Sequence, residues 1–230
     1  MILNKSAFFN PKKLVCIFAH PDDEAFGPGG SIAHFSKGCE VSVICVTNGD
    51  ADKKFAKGNN IDNLGETRRG ELKASAKILG VKDVYFLDFK DGSLCNNNYH
   101  EVAMGLKEIL MKIRPDTLMT FDTNGVSGHL DHIAVAMETT YLFERLSFVK
   151  NLMYFCEKYE VKRLIGKKYF VYFPQGYHEN EVDMVIDVEP YFKTKVAAMR
   201  AHKSQRADAI WILTVFRKYL KKEYFRVLRK

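Results

Sequence analysis

Apolar and polar positions along the chain alternate between two rhythms. Leu14 to Ala19 and Val41 to Val46 are continuous apolar runs, the pattern of strands buried on both faces of a parallel sheet. Val84 to Leu87 and Thr117 to Phe121 read as two more strands. Between them the period becomes helical. Leu72, Ala76 and Leu79 share one face of a segment from Gly65 to Gly80, and Val102, Leu106, Ile109, Leu110 and Ile113 recur at helical spacing up to Arg114-Pro115. A shorter helical segment, Ser31 to Lys37, is closed by Gly38. This alternation predicts an α/β fold: a Rossmann-like, doubly wound, mainly parallel sheet with helices on both faces.

The last third is less regular. Leu152 to Phe155, Phe170 to Phe173 and Val182 to Val188 read as strands, Pro190 suits the first turn of a helix running towards His202, and another helix starts near Asp208. Leu213, Phe216, Leu220, Tyr224 and Val227 then recur at helical spacing, so 217–230 is expected to form a basic amphipathic C-terminal helix. No low-complexity stretch divides the 230 residues, and 1–230 is read as a single domain.

Charge changes this picture at one place only. The net charge is +7, and Arg217 to Lys230 holds seven basic residues against Glu223 alone, leaving the body close to neutral. That excludes a general nucleic-acid footprint. For the basic tail, docking on the body is favoured over contact with anionic lipid headgroups. The five cysteines are scattered, with no C-x-x-C pair, and the N-terminus lacks the apolar core of a signal peptide. Both features point to a reduced, cytoplasmic protein.

In a doubly wound sheet, ligands bind beyond the carboxyl ends of the strands. Two polar clusters fall there: Ala19-His20-Pro21-Asp22-Asp23-Glu24 after the first strand, and Gly128-His129-Leu130-Asp131-His132 after the fourth. His20 and Asp23, three apart in a tight turn, can reach one cation, and a second histidine from the other cluster would complete two imidazoles and a carboxylate. Such a three-ligand set leaves a position for water, as catalytic zinc requires. Asp22, next to Asp23 and pointing elsewhere, is placed to act as general base. The same donors also suit Fe(II), although an oxygenase would need no base at Asp22.

These motifs, with G-P-G-G at Gly27 to Gly30, T-N-G-D at Thr47 to Asp50, R-R-G-E at Arg68 to Glu71 and A-H-K-S-Q at Ala201 to Gln205, resemble the LmbE-like or PIG-L deacetylase family over nearly the whole chain. The resemblance implies a zinc-dependent hydrolase that removes the N-acetyl group from an N-acetylglucosaminyl or related sugar conjugate. His20, Asp23 and His132 would hold zinc, with Fe2+ able to take the same site. Asp22 would be the base, His129 a cation beside the intermediate or an acid towards the leaving amine, and Asp131 its orienting partner. Arg68, Ser127 and Gly128 would lie on the substrate side. Leu130 departs from the family's usual proline, and Ser127 from a tyrosine found in some members. A homo-oligomer is expected.

Other readings stay open at this point. They are an amidase acting on a larger N-acyl conjugate and a non-catalytic, metal-containing sugar-binding protein. A solvated helical arginine is the less favoured alternative for Arg68, and Gly27 to Gly30 either cradles substrate through backbone N–H groups or only makes a tight turn. His202 and Gln205 are read as buttresses, and His34, His100 and His178 as surface histidines.

Overall fold

The computed structural model describes residues 9–51, 63–165 and 172–230. The apolar run from Leu14 becomes β1 (Lys13–Phe18), buried from Leu14 onward. It leads through α1 (Asp23–Phe26) and α2 (Gly29–Phe35) to β2 (Glu40–Thr47), and then α3 (Leu64–Leu79), β3 (Asp83–Phe89), α4 (Tyr99–Ile113) and β4 (Thr117–Phe121) continue the alternation. Next come α5 (Gly125–Gly128), α6 (Leu130–Arg145), β5 (Asn151–Cys156), α7 (Tyr159–Ile165) and β6 (Met184–Asp187). The described chain finishes with α8 (Phe192–Ala201), α9 (Arg206–Val215) and β7 (Lys222–Arg229).

The seven strands form one sheet in the order β3-β2-β1-β4-β5-β7-β6. β1 to β5 are mutually parallel, and β7 runs antiparallel to both β5 and β6. Helices α2, α3 and α8 pack together, as do α4 and α6, covering the two faces of a doubly wound sheet as its alternating strands and helices require. Burying a leucine such as Leu14, Leu106 or Leu142 in these layers contributes about 1.5–3 kcal/mol. The strand order reverses between β1 and β4, so the crevice expected of this architecture opens where His20 and the 128–132 cluster emerge.

Two expectations need correction. The basic C-terminal helix over 217–230 does not form: residues 222–229 are the strand β7, paired with β5 from Asn151↔Arg229 to Cys156↔Tyr224. The helical spacing of Leu213 to Val227 runs across α9, a turn and β7, so it belongs to no single helix. Without β7, the outer edge of β5 would leave its N–H and C=O groups unpaired. The strand expected over Phe170 to Phe173 falls partly outside the described residues, and Tyr172 and Phe173 lie in irregular chain.

Candidate metal centre and active-site cleft

After β1 the chain turns sharply into α1. Asp23 Oδ2 accepts the backbone N–H of His20 at 2.7 Å, which closes the turn. Asp22 takes φ 143°, ψ −25°, a sparsely populated conformation for a non-glycine residue that costs about 1–3 kcal/mol. Its carbonyl accepts from the N–H groups of Ala25 and Phe26, and its carboxylate from Arg68 Nη2 at 2.8 Å. Glu24, fully buried, supports the turn from beneath. It accepts from the Asp22 backbone N–H at 3.1 Å, the Ser75 hydroxyl at 2.5 Å and His202 Nε2 at 2.7 Å.

The loop after β4 is folded by Asp122, whose Oδ1 accepts from the N–H groups of Asn124 and Val126. At Gly128, φ is 78° and a Cβ would stand 2.5 Å from the Tyr172 carbonyl oxygen, so a side chain there would force the two loops apart. His129 begins α6 and accepts the Asp131 N–H on Nδ1 at 3.2 Å. His132 Nδ1 lies 3.0 Å from the Gly125 carbonyl. A carbonyl can only accept, so the proton sits on Nδ1 and the lone pair on Nε2. The ring of Phe121 stacks on His132 at 4.0 Å between centroids, holding the imidazole plane.

The two loops converge. His132 Nε2 lies 3.1 Å from His20 Nδ1 and 3.3 Å from Asp23 Oδ1. His20 Nε2 stands 3.1 Å from Asp91 Oδ1 and 3.4 Å from Asp131 Oδ2, yet it is buried without a hydrogen bond of acceptable geometry among the described residues. The orphaned Nε2 faces two carboxylates, while Nδ1 of the same ring faces Asp23 at 3.5 Å and His132; imidazole and carboxylate donors gathered in this way are the chemistry that a divalent cation satisfies. Burial opposes the charged forms here, but their mutual contacts prevail. His132 and His20 hold the Asp23 carboxyl well below its usual range, and the neighbouring carboxylates of Asp131, Asp23 and Asp91 raise His20. Burial also pushes the Asp22 carboxyl up to about 6, against the opposing pull of Arg68. For His129, burial and the charges of His20 and His132 lower the pKa to about 4.

These residues open on a cleft of about 520 Å3, whose lining includes Asp22, Arg68, Ser127 and His129 and, further out, Trp211 and Phe216. Residues 15–142, more than half of the chain, match the PIG-L family model, described as GlcNAc-PI de-N-acetylase. A 1D-myo-inositol 2-acetamido-2-deoxy-alpha-D-glucopyranoside deacetylase of Corynebacterium glutamicum (strain R) is 31% identical, covering 87% of this chain and 76% of its own. The chain belongs to the PIG-L family. Two solved structures share the fold. An N,N'-diacetylchitobiose deacetylase from Pyrococcus horikoshii is 24% identical with a TM-score of 0.70, over 98% of this chain and 87% of its own. GalB, the 4-carboxy-2-hydroxymuconate hydratase from Pseudomonas putida, is 17% identical with a TM-score of 0.69, over 95% and 97%. The fold by itself therefore does not choose between deacetylation and hydration.

Several open readings of this PIG-L chain are decided by its geometry. Arg68 is no solvated helical arginine: it is buried, and its guanidinium donates to the Asp22 carboxylate and to the Pro21 and Gly49 carbonyls. The Gly27 to Gly30 run is no open cradle. The N–H groups of Gly30 and Ser31 already donate to Glu223 of β7, at 2.9 and 2.7 Å, and a Cβ on Gly30 would lie 2.6 Å from the Val188 Cβ. Glycine is needed there for close packing. Asp131 contacts His129 through its backbone N–H, while its carboxylate accepts from Gly92 and Leu94 at 2.8 and 3.1 Å. His202 is buried as a buttress on Glu24, and His34, His100 and His178 are exposed.

Three residues of this PIG-L site carried no signal strong enough to be singled out from sequence. Asp91 reads locally as part of an Asp-Gly turn, yet it follows β3 at the same sheet edge as His20, the position that could have flagged it. Asp122, directly after β4, was open to the same argument. Glu24 lies within the first motif, but its partner His202 is 178 positions away.

Proposed function

We propose that this chain is a zinc-dependent N-deacetylase acting on an N-acetylglucosaminyl or related N-acetylated amino-sugar conjugate. The observation that carries the reading is the convergence of His20 Nδ1, Asp23 Oδ1 and His132 Nε2 in a cleft that also holds Asp22 and His129, in a member of the PIG-L family. The relatives named as deacetylases of acetamido sugars give the substrate class.

His20, Asp23 and His132 would hold the metal, which when bound supplies an ionised water near neutral pH and polarises the acetyl carbonyl. The chain's own groups do the rest. Asp22, fixed by Arg68, takes up a proton at its carboxylate. His129, whose Nδ1 accepts the Asp131 N–H and which lines the cleft, would meet the departing amine. Arg68 serves the sugar chiefly by locking Asp22, and Ser127 and Gly128 bound the acetyl side. A reducing, cytoplasmic setting is supported by five free cysteines, three of them buried.

The test is acetate release, followed by mass spectrometry, from a panel of N-acetylated sugars and their inositol, nucleotide and lipid conjugates, with longer N-acyl analogues beside them. Zinc-loaded and iron-loaded protein should both be assayed. Release of acetate from at least one sugar amide is expected. Fully metallated protein that releases none, or that cleaves only longer acyl groups, would refute the assignment.

A further inference from the structure

Helix α9 is apolar and yet barely covered. Of its residues Ala209 alone is buried, while Ile210, Trp211 and Val215 are 53%, 43% and 38% exposed. Adjoining exposed apolar side chains of this size mark an interaction surface. Cations surround it. Arg200, Lys203, Arg206 and Arg217 line a groove of about 740 Å3 together with Ile210 and Leu213. Between Arg200 and Lys222 the chain has seven lysines and arginines against Asp208 alone. Lys221 pairs with Glu189; Arg200, Lys203, Arg206 and Arg217 have no carboxylate partner among the described residues.

We propose that α9 and its flanking cations form a docking face for an anionic lipid bilayer, with Ile210, Trp211 and Val215 inserting at headgroup depth. Charge selects this occupant. A second copy placed face to face would bring two cationic rims together, and a soluble polyanion would leave the exposed apolar side chains in water. A bilayer with anionic headgroups answers both features at once. The same helix reaches the cleft through Trp211 and Ile212, beside Phe216 and Tyr219, so docking would set that wall of the cleft against the membrane. The proposal concerns the outer surface and stands or falls independently of the reaction assigned above.

Trp211 is the only tryptophan in the chain and reports insertion directly. With vesicles containing phosphatidylglycerol at low salt, its emission should shift to the blue and be quenched by brominated acyl chains, with neither effect on pure phosphatidylcholine. Lys203→Gln with Arg206→Gln should weaken partitioning roughly 30-fold, since each basic residue near an anionic surface is worth about a factor of five. Ile210→Ser with Val215→Ser should abolish quenching. Absence of any shift or quenching with anionic vesicles would overturn the proposal. So would a blue shift that grows with protein concentration without lipid, which would identify a second copy as the occupant. Binding undiminished in the serine variant would reduce the contact to charge alone and overturn insertion.

Discussion

Replacing Glu223 with leucine would strip three donors of their acceptor at once. Glu223 is 2% exposed and accepts from the Gly30 and Ser31 N–H groups at the start of α2 and from Lys195 Nζ at 2.6 Å; Lys195 keeps only the Gly27 carbonyl, at 2.7 Å. Each buried N–H left unpaired costs about 1–3 kcal/mol. A buried cation without its carboxylate costs about 3–5 kcal/mol. Against this stands about 2 kcal/mol gained from the buried leucine. The net loss is on the order of 5 kcal/mol, or a Tm lower by roughly 10–20 °C for a chain of this size. Lys195→Met should be milder, about 2 kcal/mol, because Glu223 keeps both amides at the positive end of a helix. The double variant should regain only the part due to the lone ammonium and stay below wild type. Urea unfolding at constant m-value measures all three. If Lys195→Met proves as damaging as Glu223→Leu, or the double variant matches wild type, the carboxylate is not capping α2.

Asp22→Asn should retain about one metal ion per chain while kcat for acetate release falls roughly 10²-fold or more; a loss of only a few-fold would move the base elsewhere. His132→Ala should lose the metal, read by elemental analysis after dialysis, and full occupancy would remove His132 from the ligand set. Burial, reinforced by the charge of Asp131, pushes the Glu138 carboxyl from 4.5 up to about 8. The native state therefore holds a proton that the unfolded chain has already lost. Its contribution to stability is whole below pH 4.5 and is lost as pH rises towards 8, at about 1.4 kcal/mol per pH unit. Glu138→Gln should match wild type near the low end and exceed it by a few kcal/mol, on the order of 4, at the high end; parallel pH profiles would sink this account.

The parallel half of the fold was legible because its signals are local. β1 and β2 are unbroken apolar runs, α3 and α4 keep one helical face each, and the reversal of strand order between β1 and β4 brings the His20 and His132 motifs together. β7 was not legible. Its residues Tyr224 to Leu228 suit either period, and what selects the strand is the open edge of β5, a partner that no local window contains. The same distance hid the supports of the site. Glu24 and His202, or Gly30 and Glu223, are ordinary residues until tertiary folding brings them into hydrogen-bonding contact.

β7 is the last of the seven strands in sequence but lies between β5 and β6. During synthesis β6 therefore emerges with no neighbour in its own sheet, and Gly30 waits for an acceptor 193 residues downstream. A chain cut short before Lys222 would carry His20, Asp23 and His132 on a sheet whose β5 edge is bare, a ready template for pairing with another chain. Interrupted translation or a proteolytic nick in 217–221 should thus yield aggregates rather than a weakened enzyme, which ties the soluble population to chains that have delivered their final strand.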